Sequence, residues 1–349
     1  MQITPVAAPK HEQVVRIADP ESGLLGFIAI HSTRRGPAAG GVRMRPYAQE
    51  ADALNDALRL SRGMTYKNAA AGLDLGGGKA VIMADPATQK TPDLLAAFGA
   101  AVETLAGRYW TAEDMGMTPA DMARIGTRTA CVAGLADGDF ASGDPSPITA
   151  RGIFNAIRTA ARHRFGSDDL RGRTVSVQGL GHVGHYLCGY LHDAGAKLIV
   201  TDIDAGQVAR VAEEFGATAV APDAIYGVEA DIFAPCAIGA ILNAETIPQL
   251  KVGVVAGGAN NQLATPEDAT RLHDLGILYA PDYVANGGGI INVATEILKI
   301  SGREAWVAGR LAALDDTMDR ILTRARTLSV SPAEVADATV DEILQAKAA

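Results

Sequence analysis

Thr174-Val175-Ser176-Val177-Gln178-Gly179-Leu180-Gly181-His182-Val183-Gly184 joins a short β-branched run to three closely spaced glycines. Its first five residues are rich in β-branched side chains and read as a strand; the glycines break it, and a helical pattern follows to His192. A second strand, Lys197-Leu198-Ile199-Val200-Thr201, ends at Asp202. G-x-G-x-x-G by itself is a weak signal in a chain with 38 glycines. Placed between a strand and a helix, with an acid at the tip of the next strand, it becomes a dinucleotide-binding arrangement. Gly179 would permit the tight turn and Gly181, with His182 and Val183 in the same loop, would let the backbone approach a pyrophosphate. Gly184 would let the helix pack closely on the strand. Asp202 would accept hydrogen bonds from the adenosine ribose and repel a 2′-phosphate, so the cofactor expected is NAD. His182 and His185 stand three apart on the helix, but no third ligand lies nearby, and no metal is expected.

Working outward, the apolar runs Asp231-Ile232-Phe233-Ala234 and Gly253-Val254-Val255-Ala256 alternate with helical patterns, as in an open parallel sheet. Upstream, Ala136 to Pro147 is polar and rich in Gly and Pro, a candidate hinge or domain boundary. Before it lie a hairpin signal over 13–30, an amphipathic helix from Glu50 expected to end at Gly63, and a Gly-rich stretch running into a strand to Met83. A helix capped by Thr91 follows, then a strand over 108–112 that delivers Glu113-Asp114 to a loop. The fold class expected is α/β with two domains: an N-terminal α/β substrate-binding and oligomerisation domain, 1–140 plus C-terminal helices at about 326–349, and a doubly wound Rossmann-type NAD-binding domain, 148–325. At 349 residues, two cores are the natural division.

The composition excludes several classes. The formal net charge is −9 and no basic run exceeds Arg34-Arg35, so nucleic acid is not an expected partner. Three scattered cysteines, Cys131, Cys188 and Cys236, give neither a disulfide framework nor a thiolate metal site. The apolar stretch from Gly23 to Ile30 is too short to span a bilayer, and the first ten residues lack a secretory pattern. A cytoplasmic location and no membrane partner are expected.

The densest chemistry lies in Gly63-Met64-Thr65-Tyr66-Lys67-Asn68-Ala69-Ala70-Ala71-Gly72-Leu73-Asp74-Leu75-Gly76-Gly77-Gly78-Lys79. Two lysines sit among small and apolar residues, and a buried ammonium is costly unless it meets an anion. A substrate carboxylate suits one of them; desolvation and neighbouring positive charge would favour the neutral amine of the other. Lys67 is read as the carboxylate binder and Lys79 as the acid/base group. The glycines at 76–78 would allow close approach of backbone and substrate. From the residues alone, pairing of the lysines with Asp74 or Asp85 on a surface turn is an equal reading, as is an ordinary loop carboxylate at Asp114.

At these residues the chain resembles the glutamate/leucine/phenylalanine/valine dehydrogenase family, closest to its leucine and phenylalanine branch. The motifs are Gly-Pro-Ala-Ala-Gly-Gly-Val-Arg-Met (36–44), Gly-Met-Thr-Tyr-Lys-Asn-Ala (63–69), Gly-Gly-Gly-Lys-Ala-Val-Ile (76–82), Thr-Ala-Glu-Asp-Met-Gly (111–116), Asp-Ile-Phe-Ala-Pro-Cys-Ala (231–237) and Tyr-Ala-Pro-Asp-Tyr-Val-Ala-Asn-Gly-Gly-Gly (279–289). The resemblance implies NAD-dependent oxidative deamination of an L-amino acid to its 2-oxo acid and ammonia, in a homo-oligomer. It puts the carboxylate-binding lysine at Lys67, the catalytic lysine at Lys79 and the catalytic aspartate at Asp114. By the same carry-over Thr149, Cys236, Ala237 and Asn260 belong with the cofactor and Asn261 with the substrate. Asn286 reads equally as a substrate-end residue or a turn residue.

The side-chain pocket implied by the resemblance comprises Ala39, with Gly40 beside it, Ala112, Ile290 and Val293. Glutamate-specific members carry a lysine where this chain has Ala39, so a second substrate carboxylate would be left unpaired. Leucine, valine and isoleucine are the expected substrates, with phenylalanine the rival. A non-catalytic NAD-binding regulator would be expected to have lost Lys67, Lys79 or Asp114, all of which are present. A metal-assisted decarboxylase would need a third acid beside Glu113 and Asp114, and the motifs supply none.

Overall fold

In the computed structural model, which describes residues 1–346, the chain divides into two units. The first comprises Met1–Pro145, Ile290–Val307 and the stretch from Glu342 on; the second comprises Ser146–Gly289 and Ala308–Asp341. The first division falls inside the expected Gly/Pro-rich segment. The later one differs from the expected 148–325 and 326–349, and the last three residues of that range lie outside the described residues. Hydrogen bonds account for the difference. Glu296 Oε2 accepts from the Gly134 N–H (2.8 Å), the Ser142 N–H (3.2 Å) and the Ser142 hydroxyl (2.9 Å), while Asn292 and Arg303 donate to the Ser142 carbonyl. That clasp returns 290–307 to the first unit. Residues 308–341 stay with the second because Thr159 bonds Asp315, Arg162 and His163 bond Asp319, and Tyr283 bonds Asp337.

The first unit is built on a sheet of β1 (Gln2–Pro5), β2 (Gln13–Asp19), β3 (Leu24–Ser32), β4 (Ala38–Ala39), β5 (Val42–Arg45), β6 (Gly76–Met83) and β7 (Tyr109–Trp110). The order is β1-β2-β3-β6-β4-β7, with β5 pairing further along β6. The expected hairpin forms, with Gln13 opposite Ile30. Alternation along β6 sends Ala80 and Ile82 into a core with α2 (Pro92–Glu103) and α3 (Pro119–Gly126). Val81 points the other way, toward α1 (Glu50–Ala70), and Lys79, two residues earlier, shares its face. Thr91 caps α2 as expected, accepting from the Leu94 N–H.

Helix α1 runs seven residues past the expected stop at Gly63. Gly63 faces open space, whereas Thr65, Asn68, Ala69 and Ala70 are buried, and that packing outweighs one glycine's propensity cost of about 1 kcal/mol. The turn comes at Gly72, where φ is +66°. Lys67 therefore sits on the last turn of a helix and not in a glycine-rich loop.

The second unit carries β8 (Thr174–Gln178), β9 (Lys197–Thr201), β10 (Thr218–Ala219), β11 (Ile232–Pro235), β12 (Val254–Val255) and β13 (Leu278–Tyr279), all parallel, in the order β10-β9-β8-β11-β12-β13. This is the doubly wound order, and its direction reverses between β8 and β11, where such folds bind ligands. Around the sheet run α4 (Ser146–Phe165), α5 (His182–Asp193), α6 (Ala205–Phe215), α7 (Glu267–Asp274) and α8 (Asp282–Ala285). The remaining helices are α9 (Gly288–Ile297), α10 (Arg303–Leu328) and α11 (Pro332–Ala346). Among the described residues no helix is long and apolar enough to cross a membrane.

Candidate active site and dinucleotide site

In the first unit, Lys79 from β6 and Asp114 from the loop after β7 meet: Nζ lies 2.8 Å from Asp114 Oδ2. Lys79 is only 6% exposed, so its ammonium has the anion that burial demands, and the anion is Asp114. Neither Asp74 nor Asp85, the surface-turn alternatives, takes that place. Burial by itself would raise the Asp114 carboxyl; the charges of Lys79 and Arg43 outweigh it and hold the group well below the usual carboxylate range. Arg43 from β5 donates through Nε to the same Oδ2 at 3.0 Å and through Nη1 to Asp56 on α1 at 3.2 Å. Asp56 also accepts from the Tyr47 hydroxyl at 2.8 Å and from Arg59 at 3.0 Å. Burial would raise its carboxyl too, but these donors and Arg43 lower it on balance.

Sequence reasoning missed Arg43, Asp56, Tyr47 and Arg59. Arg43 lay inside the quoted motif 36–44 and offered a signal; Asp56 looked like one more charge on the outer face of an amphipathic helix.

The glycines near Lys79 serve packing. A Cβ on Gly77 would strike the backbone N of Thr65, and one on Gly78 would come within 2.7 Å of the Tyr109 ring. They let α1 and Tyr109 approach the strand, while Tyr109 donates its hydroxyl to the Gly40 carbonyl at 2.7 Å. A Cβ on Gly40 would come within 2.9 Å of the Met64 side chain, so helix, strand and Gly40 are packed to contact. Beside Lys67, Asn68 donates to the Gly76 carbonyl at 2.5 Å, fixing the last turn of α1 against β6. Ala39 is fully buried between β6 and β7, pairing with Gly77 and Trp110. Ala112, Ile290 and Val293 are buried in the same unit, the last two on α9.

In the second unit the polar groups are mainly backbone. Gly179 has φ +94°, and a Cβ there would meet Ala237 at 2.7 Å, which seats the loop after β8 against the loop after β11. A Cβ on Gly184 would collide with the Gly179 carbonyl oxygen, whereas one on Gly181 would meet nothing within 4 Å. Gly181 is thus not required by the protein's own packing, and the space beside its backbone is open, as the approach of a pyrophosphate would require. Asp202 accepts from the Leu180 N–H at 2.6 Å and the Asp204 N–H at 2.9 Å, which pins its carboxylate at the tip of β9. His182 is exposed, Val183 is half-buried, and His185 pairs with Glu214 at 2.8 Å. Cys236 packs near Gly184 and Gly258. Thr149, on the first turn of α4, lies against Gly289: a Cβ there would come within 2.7 Å of its hydroxyl oxygen. Asn286 donates to the Gly258 carbonyl at 3.1 Å and to Asn260 Oδ1 at 2.8 Å, so its turn reading gains a clamp on the 258–260 loop. Asn261 is exposed with φ +51°.

The profile described as Glu/Leu/Phe/Val dehydrogenase, dimerisation domain, matches residues 11–130, and that of Glutamate/Leucine/Phenylalanine/Valine dehydrogenase matches 142–210 and 200–346. The chain is 50% identical to the leucine dehydrogenase of Geobacillus stearothermophilus, covering 96% of this chain and 91% of that protein. It is 45% identical to the phenylalanine dehydrogenase of Caldalkalibacillus thermarum, covering 97% and 92%. The crystal structure of L-tryptophan dehydrogenase from Nostoc punctiforme matches with a TM-score of 0.84 at 42% identity, covering 97% of each chain.

Proposed function

The chain belongs to the Glu/Leu/Phe/Val dehydrogenase family and is an amino-acid dehydrogenase, and on that premise we propose that it oxidatively deaminates leucine, valine or isoleucine with NAD, phenylalanine being the second choice. The observation that carries the reading is the pairing of buried Lys79 with half-buried Asp114. Bound NAD supplies the hydride acceptor for the substrate Cα. Gly179, Gly181, His182, Val183, Gly184, Asp202, Thr149, Cys236, Ala237 and Asn260 would hold it. Lys67 anchors the substrate carboxylate, with Asn261 assisting. Lys79 activates the water that attacks the substrate iminium carbon, and Asp114 takes and returns protons at the substrate nitrogen until ammonia leaves.

The apolar preference rests on Ala39, Ala112, Ile290 and Val293, with Gly40 beside them. Ala39 offers no cation to a second carboxylate, and leaving one unpaired and buried disfavours glutamate. Relatives called leucine dehydrogenase reach 55% identity and those called phenylalanine dehydrogenase 50%, which favours the branched-chain side. The match of residues 11–130 to a dimerisation domain supports a homo-oligomer, and a cytoplasmic location is part of the same proposal. NADH formation at alkaline pH with leucine, valine, isoleucine, phenylalanine, tryptophan and glutamate tests the assignment: kcat/KM should be highest for a branched-chain substrate and lowest for glutamate. Silence with every apolar amino acid would refute it.

A further inference from the structure

Arg43 has no part in the steps above, yet it connects two half-buried carboxylates. Its guanidinium takes Asp114 Oδ2 at one end and Asp56 Oδ2 at the other, and the far end is itself anchored by Tyr47 and Arg59. Lys79 approaches the same oxygen, Oδ2, at 2.8 Å. The Met115 backbone N–H also bonds this carboxylate, and among the described residues no side chain is placed against Oδ1. The χ2 torsion of an aspartate is soft, so a flexible ammonium and one backbone N–H would still let the carboxylate swivel; a planar fork pinned at both ends resists that.

Resting on the reading of Asp114 as the proton carrier, we propose that Arg43 is a positioning residue, which locks the Asp114 carboxylate with Oδ2 toward the two cations and reserves Oδ1 for the substrate nitrogen. The charged and titratable groups around Asp114 are Lys79 from β6, Arg43 from β5, the Tyr109 phenol from β7 and its chain neighbour Glu113, with Asp56 of α1 behind Arg43. Removing the Arg43 charge takes away one of the two cations that hold Asp114 ionised, so its carboxyl rises. The acid limb of turnover then moves toward higher pH.

The experiment uses the full chain with NAD and whichever apolar amino acid it turns over fastest, comparing Arg43→Gln, Arg43→Lys and Asp114→Asn across the pH profile. Arg43→Gln should lower kcat by about tenfold or more, leave the KM for NAD unchanged, and raise the acid limb by about one pH unit. Arg43→Lys restores the charge without the fork, so it should return the limb to its wild-type position and leave kcat depressed. Wild-type kcat and an unmoved limb in Arg43→Gln would overturn the proposal. Should melting curves show that Arg43→Gln is unfolded, Arg43→Lys decides: wild-type kcat there overturns it equally. Wild-type turnover in Asp114→Asn would instead remove the reading of Asp114 on which the proposal stands.

Discussion

The two sites use opposite materials. In the first unit the proposed working groups are side chains, gathered from β5, α1, β6 and the loop after β7 into an ionic chain whose buried member is Lys79. In the second the proposed groups are chiefly backbone atoms and missing side chains, most of them in one continuous loop and the acid that follows it. A buried ionic site fails when one partner is removed, because the others are left unpaired in a poorly solvated place. A backbone cradle fails when something is added to it.

Substitutions that separate the two lysines give the largest expected effect. Lys79→Ala should lower kcat on the order of 10³-fold with the KM for NAD unchanged, the range for loss of a general acid or base. Lys67→Ala should act mainly through the KM for the amino acid, as expected for a group that binds substrate and transition state alike. Equal effects of the two on kcat would erase the division of labour.

The cradle is tested by addition. Gly181→Ala places a Cβ where the protein has nothing within 4 Å. It should leave the melting temperature unchanged while weakening NAD binding about tenfold, roughly 1.4 kcal/mol. Gly184→Ala forces its Cβ against the Gly179 carbonyl and should cost stability as well, about 1–3 kcal/mol as for overpacking generally. Unchanged NAD affinity in Gly181→Ala would mean that its open space is not used.

A smaller contrast concerns pH. His31 on β3 bonds the Thr65 hydroxyl of α1 at 2.8 Å. Burial first, then the charges of His11 and Arg62, push its imidazole from 6.5 down to about 4. The unfolded chain therefore takes up this proton before the folded one does. The stabilising contribution is complete above 6.5 and is lost as pH falls toward about 4. In His31→Gln the melting temperature should fall less over that window than in wild type; parallel slopes would clear His31 of the role.

The same contrast explains what the sequence could reveal. The glycine-rich loop is contiguous, and a strand-to-helix turn follows from local sequence alone, so β8, α5 and β9 were legible where the pattern put them. The Lys79–Asp114 pair joins residues far apart in sequence, and residue types alone left it level with a surface-turn alternative; only the motifs of the family raised it. Asp56 and Tyr47 carried no local signal, because their meaning depends on where Arg43 ends. Gly63 misled, since a glycine in an exposed helix turn is outweighed by the burial of Thr65, Asn68 and Ala69 downstream. The later unit boundary was illegible for the same reason: Glu296 gains its role from Gly134 and Ser142, which the chain brings back only on folding.

If the Lys79 amine performs proton chemistry on an amino-acid substrate, as proposed, an external amine should replace it when the side chain is cut back. NADH formation by Lys79→Ala should be lost and then restored in proportion to added methylamine, which supplies the missing base. Near-wild-type turnover of Lys79→Ala without any amine would contradict it.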